Sequence, residues 1–235
     1  MRVSIIQRLL DVIAPRSCVV CGRRLAPEEQ LICLSCNLHL PRTHHVLDPY
    51  DNDLARTFWG RIDRFERAAA LFYHYGGAQS SYPIYQLKYF HRPEIGLDLG
   101  RLMAQEMQQH GFFDGVDALI PVPLSTDRQR ERGYNQSQLI AEGMSEVCHL
   151  PVLTKVVARK AYHGSQTTHE RWGRLENVEH AFALLRPEPI AHRHVLLVDD
   201  IVTTGATICA CAKELSQADE VRISVAAVAF ADPRK

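Results

Sequence analysis

Residues 195–207 read VLLVDDIVTTGAT, and this stretch decides the fold. His194 to Val198 is apolar without alternation, the pattern of a strand buried on both faces of a parallel sheet. It runs into two adjacent carboxylates, Asp199 and Asp200. Then come Thr203, Thr204, Gly205, Ala206 and Thr207, and a helical pattern follows to Gln217. A turn at the head of a helix presents backbone N–H groups and hydroxyls together, a nest for a phosphate monoester. Gly205 lets the backbone approach such a ligand closely. The two carboxylates would repel phosphate and suit sugar hydroxyls or Mg(II) instead. A ribose 5-phosphate carries both features side by side. No GKT or GKS follows the glycine and no GxGxxG is present, so neither a Walker A loop nor a dinucleotide fingerprint is expected.

Outward from this turn, strands and helices alternate. Strands are predicted over 67–75, 117–122 and 221–230, and helices over 80–90, 97–110, 136–148 and 206–217. That alternation predicts an α/β domain with a largely parallel sheet and helices on both faces over residues 61–235. Arg128, Arg130 and Arg132 follow the strand end at Pro121–Pro123, with Asp127 and Glu131 between them. Such a cluster reads either as phosphate contacts or as a solvated charged helix, and phosphate contact is favoured. Residues 155–174 hold Lys155, Arg159, Lys160, Arg171 and Arg174 against Glu170 alone, a net of +4. A polar loop of that charge can close over a polyanion or line a path for single-stranded DNA.

The N-terminal part follows different rules. Cys18-x-x-Cys21 and Cys33-x-x-Cys36 are separated by eleven residues. Two such knuckles supply four sulfurs, the closed tetrahedral set of one structural zinc. A redox pair would need one CxxC at a helix N-terminus, not two in tandem. His39, His44 and His45 are expected as surface residues or nucleic-acid contacts rather than ligands, because the tetrahedron is already full. Cys148, Cys209 and Cys211 lie in apolar helical stretches and read as buried small residues. The module is placed at 1–46, with 47–60 as a linker rich in Asp, Asn and Pro.

The chain has 235 residues, with 27 Lys and Arg against 27 Asp and Glu. That balance excludes a polybasic binder that holds nucleic acid by global counterion release, but it permits one local basic groove. With 46% hydrophobic and 23% charged residues, wholesale disorder is excluded. No apolar run reaches the ~20 residues that cross a bilayer. Residues 1–17 predict a short amphipathic helix. Arg8 and Asp11 interrupt its apolar positions, so it does not read as a signal peptide. The cytosol is the expected compartment.

The segment 195–207 resembles the signature with which type I phosphoribosyltransferases bind 5-phosphoribosyl 1-pyrophosphate (PRPP). More broadly, the chain resembles the ComF/GntX family of bacterial competence and DNA-utilisation proteins. The resemblance is carried by the paired cysteines, Gln86-Leu87-Lys88-Tyr89, PVPLSTDRQRERGYNQS (121–137), Ser165-Gln166-Thr167, Arg174 with Glu176-Asn177, Ala181-Phe182 and the 195–207 stretch. It implies that Asp199 and Asp200 are catalytic, holding the ribose hydroxyls and positioning Mg(II). It implies that Thr203, Thr204, Gly205, Ala206 and Thr207 hold the 5-phosphate. Pro123, Leu124, Ser125 and Arg128 become the pyrophosphate loop. Lys88, Arg132, Lys160, Arg171 and Arg174 become nucleic-acid or loop contacts. The implied function is phosphoribosyl transfer to a nitrogen nucleophile, tied to uptake or use of single-stranded DNA, with a DNA-uptake helicase as partner. The alternative is a PRPP-sensing, single-stranded-DNA-binding module without catalysis. Many relatives carry a further CxxC pair that this chain lacks, so one zinc is expected. Glutamine-dependent amination is not expected, since no Cys follows Met1.

Overall fold

The computed structural model describes residues 15–160 and 181–231. A four-stranded parallel sheet forms the centre, built from β1 (Phe65–Tyr73), β2 (Ala118–Pro121), β5 (His194–Val202) and β6 (Arg222–Phe230), in the order β1-β6-β5-β2. All three pairings are parallel, so these strands end on one side of the molecule. The central strands are buried on both faces, which is why the sequence shows no alternation there. β5 runs four residues beyond the predicted Val198. The acid pair is therefore part of the strand, with Asp199 opposite Ala227 of β6.

Helices cover both faces, as the alternation predicts. On one face lie α3 (Tyr82–Tyr89), α4 (Glu94–Gln109) and α6 (Gln136–Cys148), packed on Leu196, Val198, Ala226 and Val228. The other face, with Val195, Leu197, Val225 and Ala227, takes α2 (Asp53–Phe58) and α7 (Ala206–Leu215). α4 and α6 cross at their backbones. A Cβ on Gly100 would lie 2.1 Å from the Ile140 carbonyl, and one on Gly143 equally close to that of Leu97. α5 (Thr126–Arg132) is a short helix with no buried residue, capped by Ser125 and ended by Gly133 at φ +80°.

Two antiparallel arms, β3 (Val157–Arg159) and β4 (Phe182–Leu184), pair Arg159 with Phe182. The predicted basic loop 155–174 therefore begins in part as a strand, Val157–Arg159, and its residues 161–174 lie outside the described residues, as do residues 1–14 of the predicted N-terminal helix.

The cysteine region is not set apart from the sheet. Val19, Leu25, Leu31, Ile32 and Leu40, on either side of α1 (Leu34–His39), share one apolar cluster with α4 and the sheet. The stretch 47–60, read as a linker, carries α2, whose Leu54, Ala55 and Phe58 are fully buried. Asn52 caps that helix by accepting the Ala55 N–H at 2.8 Å. His45 corrects the sequence reading. It is buried, its Nδ1 accepts the Ala70 N–H at 3.2 Å, and its Nε2 lies 2.5 Å from Asp53. A ring with both nitrogens engaged can be buried without loss. His39 and His44 are exposed as expected. Of the three remaining cysteines only Cys211 is fully buried, while Cys148 and Cys209 are half-buried.

Candidate functional site

The C-terminal ends of β2 and β5 meet, because Pro121 stands opposite Val198 and the Val122 N–H bonds the Val198 carbonyl at 2.9 Å. The proposed pyrophosphate loop, Pro123 to Ser125, thus leaves the sheet beside the acid pair. Asp199 accepts two hydrogen bonds on Oδ1, from the Ser137 hydroxyl at 2.9 Å and from the Asp200 N–H at 2.8 Å. Burial, with the Asp200 charge adding to it, pushes the Asp199 carboxyl up to about 7, against the pull of those donors. Asp200 instead meets a cation, with Lys88 Nζ 2.9 Å from its Oδ1. Lys88 was expected among nucleic-acid or loop contacts, and the fold turns it inward onto this acid.

The turn after β5 has the geometry its sequence implies. Gly205 takes φ +74° and opens α7 with no side chain of its own to cap it, and Thr204 Oγ1 accepts the Ala206 N–H at 3.4 Å. A Cβ at Gly205 would lie 2.9 Å from both Phe58 and Thr57 of α2. From the end of that same helix, Arg61 donates to the carbonyls of Thr204 at 3.0 Å and Thr57 at 2.9 Å. Thr57 and Phe58 within 47–60, with Arg61 just beyond, therefore buttress the 203–207 turn, a role the loop-like composition conceals.

Residues 133–137, GYNQS, hold the parts together. Tyr134 donates its hydroxyl to the Leu87 carbonyl of α3 at 2.6 Å. Asn135 donates to the Val122 carbonyl at 3.0 Å and accepts the Ser137 N–H at 3.1 Å, which caps α6. Ser137 then reaches Asp199. The sequence assigns Asn135 and Ser137 no role, because their partners lie on other elements. Arg159, expected within a basic loop, is instead the last residue of β3. It stacks over Phe182 at 5.3 Å. Burial, then the nearby Arg128 cation, hold its guanidinium below the ordinary value, while Asp199 opposes them. Two arginines and a buried acid gathered at one strand end suit a polyanion with its cation.

Arg132 lies over the Tyr89 ring at 5.6 Å. Lys160 is exposed at the end of β3, while Arg171 and Arg174 fall outside the described residues.

The four cysteines do converge. Their sulfurs all lie within 4.8 Å of one another. Cys21 and Cys33 stand 3.8 Å apart, the edge of a tetrahedron with metal–sulfur bonds of about 2.3 Å. Burial acts to raise the Cys18 thiol, but N–H donors from Cys33, Cys21 and Val20 outweigh it and bring it down to about 7. Burial and the neighbouring sulfurs push Cys36 up. The set can hold a metal ion.

No family model matches the chain. The DNA utilization protein YhgH of Escherichia coli O157:H7 is 32% identical over 202 residues, 84% of this chain and 83% of that one. The chain belongs to that family, ComF/GntX. Competence protein F of Haemophilus influenzae is 36% identical over 110 residues, 46% of this ComF-type chain and 48% of the other. Among solved structures, a Bacillus subtilis glutamine PRPP amidotransferase aligns with TM-score 0.39 and 19% identity, over 60% of this chain and 30% of that one. An adenine phosphoribosyltransferase aligns with TM-score 0.40 and 14% identity, over 60% and 73%. Likenesses this low say nothing of chemistry. No helix among the described residues is long and apolar enough to cross a membrane.

Proposed function

We propose that this ComF-type protein binds PRPP with Mg(II) in the cytosol and transfers its phosphoribose to a nitrogen nucleophile, releasing pyrophosphate, in the uptake or use of single-stranded DNA. One observation carries the reading. An acid pair ends a buried strand, and a left-handed glycine turn opens a helix directly after it. In this reading the turn at 203–207 takes the 5-phosphate and the acids take the ribose hydroxyls. Pro123 to Ser125 with Arg128 takes the pyrophosphate, and Arg159 joins them. The carboxylates are a fit donor set for Mg(II), which supplies positive charge to the leaving pyrophosphate when bound. An ionised acid beneath the sugar stabilises the cationic character that develops at C1. Lys88 holds Asp200 until the ligand arrives. In the cysteine set the metal is zinc, one per chain, with a structural role.

Calorimetric titration with PRPP and Mg(II) tests this. Binding that disappears in Asp199→Ala plus Asp200→Ala supports it, and no binding to the parent protein overturns it.

A second reading has its own observation. Tyr82, Tyr85, Tyr89 and Phe90 are exposed along α3, with Arg132 stacked on Tyr89. Exposed rings beside arginines suit unpaired bases. A single-stranded oligonucleotide should then bind with an affinity that falls steeply with salt.

A further inference from the structure

Gln86, Leu87, Lys88 and Tyr89 form the last turn of α3. Consecutive residues of a helix point about 100° apart, so one such run can address several neighbours at once. Lys88 Nζ meets Asp200 Oδ1 at 2.9 Å. The Leu87 carbonyl accepts the Tyr134 hydroxyl at 2.6 Å. The Leu87 side chain is fully buried, in the same apolar cluster as Cys18, Val19 and Leu25. Gln86 reaches a third place, the cysteine module. Its Nε2 donates to the Val19 carbonyl at 3.2 Å.

Val19 lies inside the first knuckle, between Cys18 and Cys21. Its own N–H donates to the Leu31 carbonyl at 3.0 Å, two residues ahead of Cys33. Val19 thus ties the chain leading into the second knuckle to the first, and Gln86 holds Val19. Arg92 fixes the Gln86 amide by donating to its Oε1 at 2.9 Å, which turns Nε2 toward Val19. Two residues apart on one turn, Gln86 and Lys88 therefore connect the four sulfurs to the acid pair.

We propose that Gln86 is a positioning residue: it anchors α3 to the metal-loaded cysteine set, so that Lys88 presets the Asp200 carboxylate for the sugar hydroxyls of PRPP. Ile84 and Leu87 pack α3 on the module, but apolar packing is non-directional. The hydrogen bond from Gln86 sets the rotation of the helix. A carboxylate has two oxygens, and Lys88 orients this one through Oδ1 alone. A preset group binds a ligand without the cost of being ordered first. The metal site and the ligand site are then coupled, and the coupling is reciprocal. Whatever factor the metal adds to PRPP affinity, PRPP adds to metal affinity. The inference rests on the PRPP and zinc readings above.

The parent protein tests it without any substitution. Zinc affinity is measured by competition with a zinc-selective chromogenic chelator, with and without PRPP and Mg(II). PRPP should raise it about 10-fold, an ordinary size for such a coupling. Gln86→Glu keeps the side-chain length and the contact with Arg92 but removes the donor. It should bind PRPP about 10-fold more weakly by calorimetry, and PRPP should no longer change its zinc affinity. Asp199→Ala plus Asp200→Ala leaves the cysteines untouched, and there too PRPP should leave zinc affinity unchanged. A shift that persists in that variant would come from PRPP chelating zinc directly, and the inference falls. If PRPP binds the parent but zinc affinity is the same with and without it, the inference falls while the PRPP and zinc readings stand. It falls equally if Gln86→Glu keeps the parent's PRPP affinity and its coupling. Absence of PRPP binding, or of zinc, in the parent would remove the corresponding earlier reading and this one with it.

Discussion

The cysteine module and the acid turn are both contiguous motifs, yet they are completed in different ways. The four sulfurs need only their own nineteen residues, since each knuckle turns locally and the two knuckles face one another. The acid turn needs the rest of the molecule. Asp199 is held by Ser137 of α6, Asp200 by Lys88 of α3, and the Thr204 carbonyl by Arg61 beyond α2. A closed metal site can be read from spacing alone. A site that must bind and release a ligand leaves its groups partly unmatched, and its supports come from elements far away in sequence.

The comparison predicts how each region breaks. Cys33→Ser should have the largest effect, because metal binding in such modules carries about 10 kcal/mol or more of folding free energy. Metal analysis of the parent should find one zinc per chain. The variant should lose it, and hydrogen exchange should report opening of residues 16–40. Retained protection without zinc would show that packing on α4, not the metal, holds the module.

Asp199→Ala plus Asp200→Ala should weaken PRPP binding by about 100-fold or more, the loss expected for charge-assisted contacts. The thermal midpoint should stay near that of the parent or rise, since a buried acid pair is being removed. A large fall in midpoint would mean that the acids hold the fold rather than the ligand.

Gly205→Ala sharpens the same boundary by backbone strain and a close steric approach. The positive φ and the 2.9 Å approach to Phe58 and Thr57 should cost about 1–3 kcal/mol. Urea denaturation measures this, and an unchanged midpoint would show that α2 yields easily.

The remaining effect concerns pH. Asp199 keeps its proton to about 7 in the folded chain, against 3.8 ordinarily. Between those values the folded state binds more protons than the unfolded one, so this residue lowers stability as pH rises. The charged groups nearby are Asp200, Lys88 and Arg159. Asp199→Asn should remove that slope. The stability of the variant relative to the parent should then grow from pH 4 to pH 7 and level off above. A difference independent of pH would mean that Asp199 ionises freely.

Much of this was legible in the residues. The uninterrupted apolar run before Asp199 announced a parallel strand, and Gly205 sits in the left-handed turn its position required. Helix 136–148 falls where its pattern placed it. Boundaries moved where tertiary contacts extend an element: β5 runs on through the acids because β6 continues to pair with it. His45 was misjudged because a buried imidazole is identified only by its partners, Ala70 and Asp53. Residues 47–60 were misjudged because Asp, Asn and Pro mark turns, while the buried face of α2 rests on only Leu54, Ala55 and Phe58.

By itself the sequence determined the local chemistry: four thiols at knuckle spacing, and two acids with a glycine turn at the end of a buried strand. These features depend on covalent neighbours within one or two turns of chain, where spacing sets geometry. Only the tertiary structure decided that Lys88 faces Asp200, that Ser137 tethers Asp199, and that Gln86 reaches the Val19 carbonyl. Those juxtapositions join residues tens of positions apart, brought together by the packing of helices on a shared sheet. No periodicity along the chain records them.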